Sequence, residues 1–126
     1  MKKTLQSSIV SIYNGQLHNF SEISVIRSKQ IIKFLKCLYN EGFIRGFCVE
    51  DSQIKVFLKY FNGNPVINVI EGVSTISNRI YISRRGLLKV VNKKETFIIM
   101  TVKGFTSSKK VFEKGFTGGE IICRIH

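Results

Sequence analysis

Apolar residues recur at helical intervals early in the chain and at strand intervals later, which divides it into two kinds of element. Leu5, Ile9, Ile12 and Tyr13 lie at helical spacing over residues 4–13, and Asn14-Gly15 offers a left-handed stop, so the pattern predicts a short first helix. Glu22–Val25 alternates in the manner of a strand. Ser28 stands where a hydroxyl caps a second helix; Ile31, Phe34, Leu35 and Leu38 form its apolar face and Gly42 its end. Lys29, Lys33 and Lys36 fall together on the opposite face, an arrangement more often met on a plain solvated surface than at a binding site.

From Gly46 to Phe61 the pattern becomes β-like. Phe47-Cys48-Val49, a polar turn at Asp51-Ser52-Gln53 and then Ile54–Phe61 predict a hairpin. Asn62-Gly63-Asn64-Pro65 is the clearest break and carries the only proline, placing a boundary between a 1–65 subdomain and a 66–126 subdomain. Beyond it Val66–Ile70, Arg79–Ile82, Phe97–Val102 and Glu120–Ile125 all read as strands. Thr106 or Ser107 begins a short helix ending at Gly115. The expected class is α+β: helix, strand, helix and hairpin first, then mostly strands with one helix.

Charge adds a partner to this outline. The chain has 20 Lys+Arg against 8 Asp+Glu, a net charge of +12, and hence an affinity for polyanions. The excess is spread: residues 1–70 carry 9 basic and 4 acidic side chains, and residues 71–126 carry 11 and 4. That describes a folded basic body rather than a neutral domain with a basic tail. The larger excess in the second half, together with the Thr101–Lys110 loop and the Gly118-Gly119-Glu120 turn it holds, points there for the more specific polyanion-binding surface. Apolar runs are only a few residues long, so no segment spans a bilayer and no membrane partner is expected.

Catalysis finds few candidate residues. His18 and His126 are the only histidines and Asp51 the only aspartate, so no Ser-His-Asp set or carboxylate pair suggests itself. No phosphate-loop or dinucleotide motif is present, and neither a cofactor nor a small-molecule substrate is expected. Cys37, Cys48 and Cys123 lack metal-ligand spacing and read as buried free thiols of a reducing compartment. An RNA-processing or modifying enzyme is the competing reading, yet it has no residue to name; a free regulatory RNA-binding protein is another.

Binding chemistry is better represented. Thr101–Lys110 follows a predicted strand and sets hydroxyls and a flexible glycine among lysines: Thr101, Lys103, Gly104, Thr106, Ser107, Lys109 and Lys110. These groups suit a sugar-phosphate backbone, although the same stretch reads equally well as a helix cap with solvated lysines. Gly118 and Gly119 before Glu120 are either turn glycines or a point of close backbone approach to RNA. Tyr81 among Arg79, Arg84 and Arg85 makes a stacking platform for a base if it is exposed.

Over nearly its whole length the chain resembles the small-subunit ribosomal protein S8 family. The resemblance runs through Ile12-Tyr13-Asn14-Gly15-Gln16, Ser28-Lys29, Glu41-Gly42-Phe43-Ile44, Leu58-Lys59-Tyr60-Phe61, Arg79-Ile80-Tyr81, Lys103-Gly104 and Gly118-Gly119-Glu120-Ile121-Ile122-Cys123, in order and at the family's spacing. It implies two small α/β subdomains, a structural and non-enzymatic role, and binding to the central domain of small-subunit ribosomal RNA beside neighbouring ribosomal proteins. The departures are specific. The family's Ser-Thr-Ser is Met100-Thr101-Val102, its Pro-Gly before Arg-Ile-Tyr is Ile76-Ser77, its Arg-rich end of the first helix is Ser11 and Tyr13, and Thr117 looks like an insertion. Alanine is absent, as an AT-biased coding sequence would make it. With that drift the resemblance is to a mitochondrial copy, and an organelle-encoded chain needs no presequence before Met1-Lys2-Lys3.

Overall fold

The computed structural model of the chain describes residues 3–74, 77–90, 95–110 and 118–126. Helix α1 (Lys3–Leu17) buries Leu5, Ile9, Ile12 and Gln16, one residue per turn along one stripe. It does not stop at Asn14-Gly15. Gly15 stays helical and buried, and a Cβ there would lie 2.6 Å from Ile23 Cγ2 and 2.8 Å from Leu58 Cδ1. The glycine lets the helix lie close on the strands beneath it, and the left-handed residue that turns the chain is Asn19 (φ 57).

Strand β1 (Glu22–Ile26) leads to α2 (Lys29–Asn40), which buries Ile31, Phe34, Leu35, Cys37 and Leu38. Gly42 ends the helix with φ +80; its N–H donates to the Tyr39 carbonyl at 3.0 Å and that of Phe43 to Leu38 at 2.9 Å. These two reversed bonds satisfy carbonyls that the helix leaves open, a conformation that glycine adopts without a Cβ clash. Strands β2 (Ile44–Val49) and β3 (Gln53–Leu58) form the predicted hairpin, and β1 completes a three-stranded antiparallel sheet in the order β1-β3-β2. Asn62 and Gly63, both at positive φ, turn a two-residue ribbon of β4 (Tyr60–Phe61) and β5 (Asn64–Pro65).

The expected strand at Val66–Ile70 is mostly irregular chain. Its backbone is satisfied by separate partners instead of one ladder: Val66 N–H reaches the Lys59 carbonyl, Ile67 N–H the Gln16 Oε1, and Asn68 and Val69 the His126 carbonyl. Pairing begins only with β6 (Ile70–Gly72). Strand β7 (Tyr81–Ser83) starts later than the pattern suggested, since Ile80 N–H is taken by Ser74 Oγ. Helix α3 (Arg84–Val90) was not foreseen; Ser83 Oγ accepts the Gly86 N–H at 3.1 Å and caps it.

Strands β8 (Thr96–Thr101), β9 (Gly104–Ser107) and β10 (Gly118–Ile125) complete a five-stranded sheet. Its order is β6-β10-β8-β9, with β7 pairing the first residues of β10 and β6 the last. Thr106 and Ser107 therefore do not start a helix. The tight turn after Thr101 folds them back as a strand against Ile98 and Ile99, and Phe105 packs edge-on against Phe34 with ring centroids 5.7 Å apart. The expected end of that helix, Gly115, lies outside the described residues.

A continuous core joins the halves: Leu5, Ile12, Ile31 and Phe34 of the helices meet Ile54 and Val56 of the first sheet and Ile70, Ile98 and Ile122 of the second. Each such side chain is worth about 1.5–3 kcal/mol when fully buried. A smaller cluster, Leu87 and Ile99 with Ile82 and Phe97 against it, seats α3 on the second sheet. The architecture is the mixed α+β one that the pattern predicts. Cys37 and Cys123 are buried and not disulfide-bonded, and burial, with Cys37 adding, pushes the Cys123 thiol well above its ordinary value. Cys48 differs from expectation: it is exposed, because it stands opposite Lys55 on the sheet face turned away from buried Ile54 and Val56.

Candidate nucleic-acid interface

Once the apolar stripe of α2 is buried, Lys29, Lys33 and Lys36 are fixed on the outside, three and four residues apart on one face. Beside them stands the β8–β9 hairpin. Its tip is Val102-Lys103, closed by the Thr101–Gly104 pair. Gly104 supplies a φ of +113, and Thr101 Oγ1 both donates to the Gly104 carbonyl at 3.0 Å and accepts the Lys103 N–H at 3.2 Å. The tip projects so far that Val102 is completely exposed.

Between helix and hairpin runs an open groove lined by Lys29, Lys33, Lys36 and Lys103, with Gln30, Asn40 and Met100 among its other residues and no carboxylate. Four ammonium groups on one face repel one another, and a phosphate backbone relieves that repulsion by replacing their counterions. Cross-strand register extends the same face. Phe105, Met100, Glu120 and Tyr81 lie opposite one another on β9, β8, β10 and β7. Tyr81 is exposed and stands two strand spacings, about 10 Å, from Met100.

The expected site residues fall into distinct groups. Lys29, Thr101, Lys103 and Gly104 line the groove, and Ser28 precedes it; the Ser28 carbonyl accepts the Ile32 N–H while its hydroxyl makes no capping bond. Arg79, Arg84 and Lys109 are exposed, with Arg84 on α3 and Thr106 half-buried in β9. The remainder have partners or close neighbours within the chain itself. Lys110 Nζ lies 3.4 Å from Glu41 Oε1 and ties the end of β9 to the end of α2. Ser107 and Glu120 are buried side chains, so neither presents its polar group on the surface. Gly118 and Gly119 lie within β10, where a Cβ on Gly119 would come 2.6 Å from the Met100 carbonyl oxygen; their smallness serves strand packing. Lys33, Lys36 and Val102 belong to the groove and were not among the expected site residues. Their spacing was visible, but nothing local announces that a hairpin some seventy residues later folds beside them.

An open basic face with a projecting turn and an exposed tyrosine defines a nucleic-acid-binding protein, and among the described residues no cluster of His, Cys, Asp or Glu able to hold a metal accompanies it. The profile of the family described as ribosomal protein S8 matches residues 3–126. The chain is 33% identical over 128 residues to the small ribosomal subunit protein uS8 of Shewanella denitrificans, covering 99% of this chain and 98% of that one. It is 40% identical over 122 residues to the uS8 of Ehrlichia ruminantium, covering 93% and 92%, and 32% identical over 128 residues to that of Buchnera aphidicola, covering 99% and 98%. The chain belongs to the ribosomal protein S8 family.

The hairpin geometry sets an expected result for Thr101→Ala and Gly104→Val. The first removes two bonds of about 0.5–1.5 kcal/mol each, and the second forces a branched residue into a conformation costing about 1–3 kcal/mol. Both distort the tip that carries Lys103. RNA affinity of the folded protein should fall up to roughly tenfold, while melting drops by about 3–10 °C. Melting and RNA titration on the same two variants check this, and unchanged affinity in folded protein would remove the tip from the interface.

Proposed function

We propose that the groove between α2 and the β8–β9 hairpin holds ribosomal RNA. As a member of the ribosomal protein S8 family, the chain is a structural, RNA-binding constituent of the small ribosomal subunit and is not an enzyme. The observation that carries the groove assignment is the convergence of Lys29, Lys33, Lys36 and Lys103 on one groove whose own lining holds no carboxylate. Ser28, Thr101, Gly104 and Tyr81 add polar and stacking contacts, and Arg79, Arg84 and Lys109 add attraction from exposed positions. Gly118, Gly119 and Glu120 act from within by setting the spacing of β7, β10 and β8.

The RNA is the central domain of small-subunit ribosomal RNA, in line with the family resemblance, and neighbouring small-subunit proteins are the other partners. Residues 1–65 and 66–126 act as two subdomains that share the groove, since three lysines come from the first and Lys103 from the second. The subunit is a mitochondrial one; the absence of alanine and the weight of Ile, Lys, Phe and Asn support an AT-rich organellar gene. The test is cell fractionation followed by sedimentation at low and high salt. The chain should travel with small subunits released from mitochondria. A chain found on messages away from ribosomes would overturn the structural role, and one found in cytosolic small subunits would overturn the mitochondrial assignment alone.

A further inference from the structure

Strand β1 is an edge of the first sheet, and its outer side carries main-chain groups that nothing in the fold pairs. Leu58 N–H donates to the Ser21 carbonyl at 3.0 Å, and Ile23 and Val25 stand opposite Val56 and Ile54. Bonded pairs alternate in an antiparallel ladder, so Ser21, Ile23 and Val25 turn their N–H and C=O groups to β3, and Glu22, Ser24 and Ile26 turn theirs away from it. These three residues are exposed, and among the described residues their outward backbone groups have no partner. Folded proteins ordinarily blunt such an edge. Strand β2, at the other side of the same sheet, has a register shift between Ile44 and Gly46 and an exposed Arg45, while β9 and β6 of the second sheet lie beside α2 and α1. Strand β1 has no lysine, no proline and no bulge over its five residues.

The side chains around this edge select what pairs with it. Ile23 turns toward α1, where a Cβ on Gly15 would meet its Cγ2 at 2.6 Å. Between the helix and the edge runs an open groove, with Ser11 and Asn14 on one side and Phe20, Glu22 and Ser24 on the other. Glu22 is its only charged lining residue and makes no ion pair among the described residues, in a chain whose net charge is +12. Phosphate accepts hydrogen bonds but has none to donate to the outward carbonyls, and an unpaired carboxylate repels it. A second copy of the chain brings its own large positive charge against the first. An extended peptide instead supplies donors and acceptors at the strand's own spacing, and a cationic side chain on it neutralises Glu22.

We propose that a strand from another protein of the small subunit extends the first sheet at β1. It bonds to the main chain of Glu22, Ser24 and Ile26, sets a lysine or arginine beside Glu22 and directs a side chain into the groove next to Ile23. The proposal rests on the reading of the chain as a small-subunit constituent. To test it, amide exchange at Glu22, Ser24 and Ile26 is followed in the free full-length chain, in its complex with small-subunit RNA alone, and in assembled small subunits. The three amides should exchange freely in the first two and at least roughly tenfold more slowly in the subunit. Protection already present with RNA alone gives the edge to RNA, protection of the free chain that grows with concentration gives it to a second copy, and none in subunits leaves it unpaired; each overturns the proposal. A chain absent from the subunit peak overturns the underlying assignment as well. A photoreactive benzophenone side chain at Ile26 identifies the covering molecule: peptide adducts from one segment of one other protein are expected, and nucleotide adducts overturn the proposal. Two variants give a second reading. Ser24→Pro deletes the middle outward N–H without removing a bond to β3, and Glu22→Lys reverses the charge. Both should bind RNA alone within about twofold of the parent, while retention in salt-washed subunits falls roughly tenfold. Should the proline variant fail to fold, Glu22→Lys decides: undiminished retention, or a parallel loss of RNA affinity, overturns the proposal.

Discussion

Changing Lys29, Lys33 and Lys36 together to glutamine is expected to lower affinity for small-subunit RNA roughly a hundredfold near physiological salt. Each phosphate neutralised by a lysine releases most of one counterion, which at about 0.15 M salt is worth roughly a four- to fivefold gain. Three such contacts multiply to about two orders of magnitude, and the slope of log affinity against log salt should flatten by about two to three. Stability should not follow. All three side chains are exposed, and glutamine nearly matches lysine in helix propensity, so the melting temperature is a control against unfolding. Lys55→Gln is the matching control for charge, because its ammonium lies 3.9 Å from Glu50 in the β2–β3 hairpin and it does not line the groove. If the salt slope of the triple variant equals that of the parent, RNA does not occupy this face.

The lysine face shows where a sequence can and cannot be read. The apolar stripe of α2, the Gly42 stop and the β2–β3 hairpin were legible because each depends on residues within one turn or one hairpin of one another. The family resemblance rested on the order of such segments. The groove depends instead on α2 and the β8–β9 tip meeting in space, so a stripe that looked like plain solvated surface became one wall of a site. Glycines misled in both directions for a related reason. Gly15 was read as a helix stop and Gly119 as a turn glycine or a point of close approach to RNA, whereas each has a close neighbour distant in sequence: Leu58 for the first, the Met100 carbonyl for the second. Thr106 and Ser107 carry the chemistry of a helix cap, and the strand pairing enforced by the preceding turn overrode it. Helix α3 has seven residues, too few for periodicity to reveal.

Gly119→Ala is expected to be the most destabilising single methyl that can be added to the second sheet. The new Cβ would lie 2.6 Å from the Met100 carbonyl oxygen and 2.8 Å from Ile99 Cγ2. A side chain can rotate away, but a carbonyl oxygen of β8 can retreat only if β8 and β10 separate. Strand β10 also supplies Ile122, Cys123 and Ile125 to the main core, so separation opens the interior as well as the ladder. Overpacking against unyielding atoms costs about 3 kcal/mol, which for a chain of this size lowers the melting temperature by roughly 10 °C. Gly118→Ala provides the internal scale, since its Cβ would meet the Ile82 carbonyl oxygen at 3.3 Å, and a loss of about 1 kcal/mol is expected from so much milder a contact. Neither glycine lines the lysine groove, so at a temperature where both variants are folded their RNA affinity should match the parent. Thermal melting with RNA titration on the folded fraction decides the matter: a Gly119→Ala variant that melts normally yet binds RNA poorly would place this glycine on the RNA surface instead of between the strands.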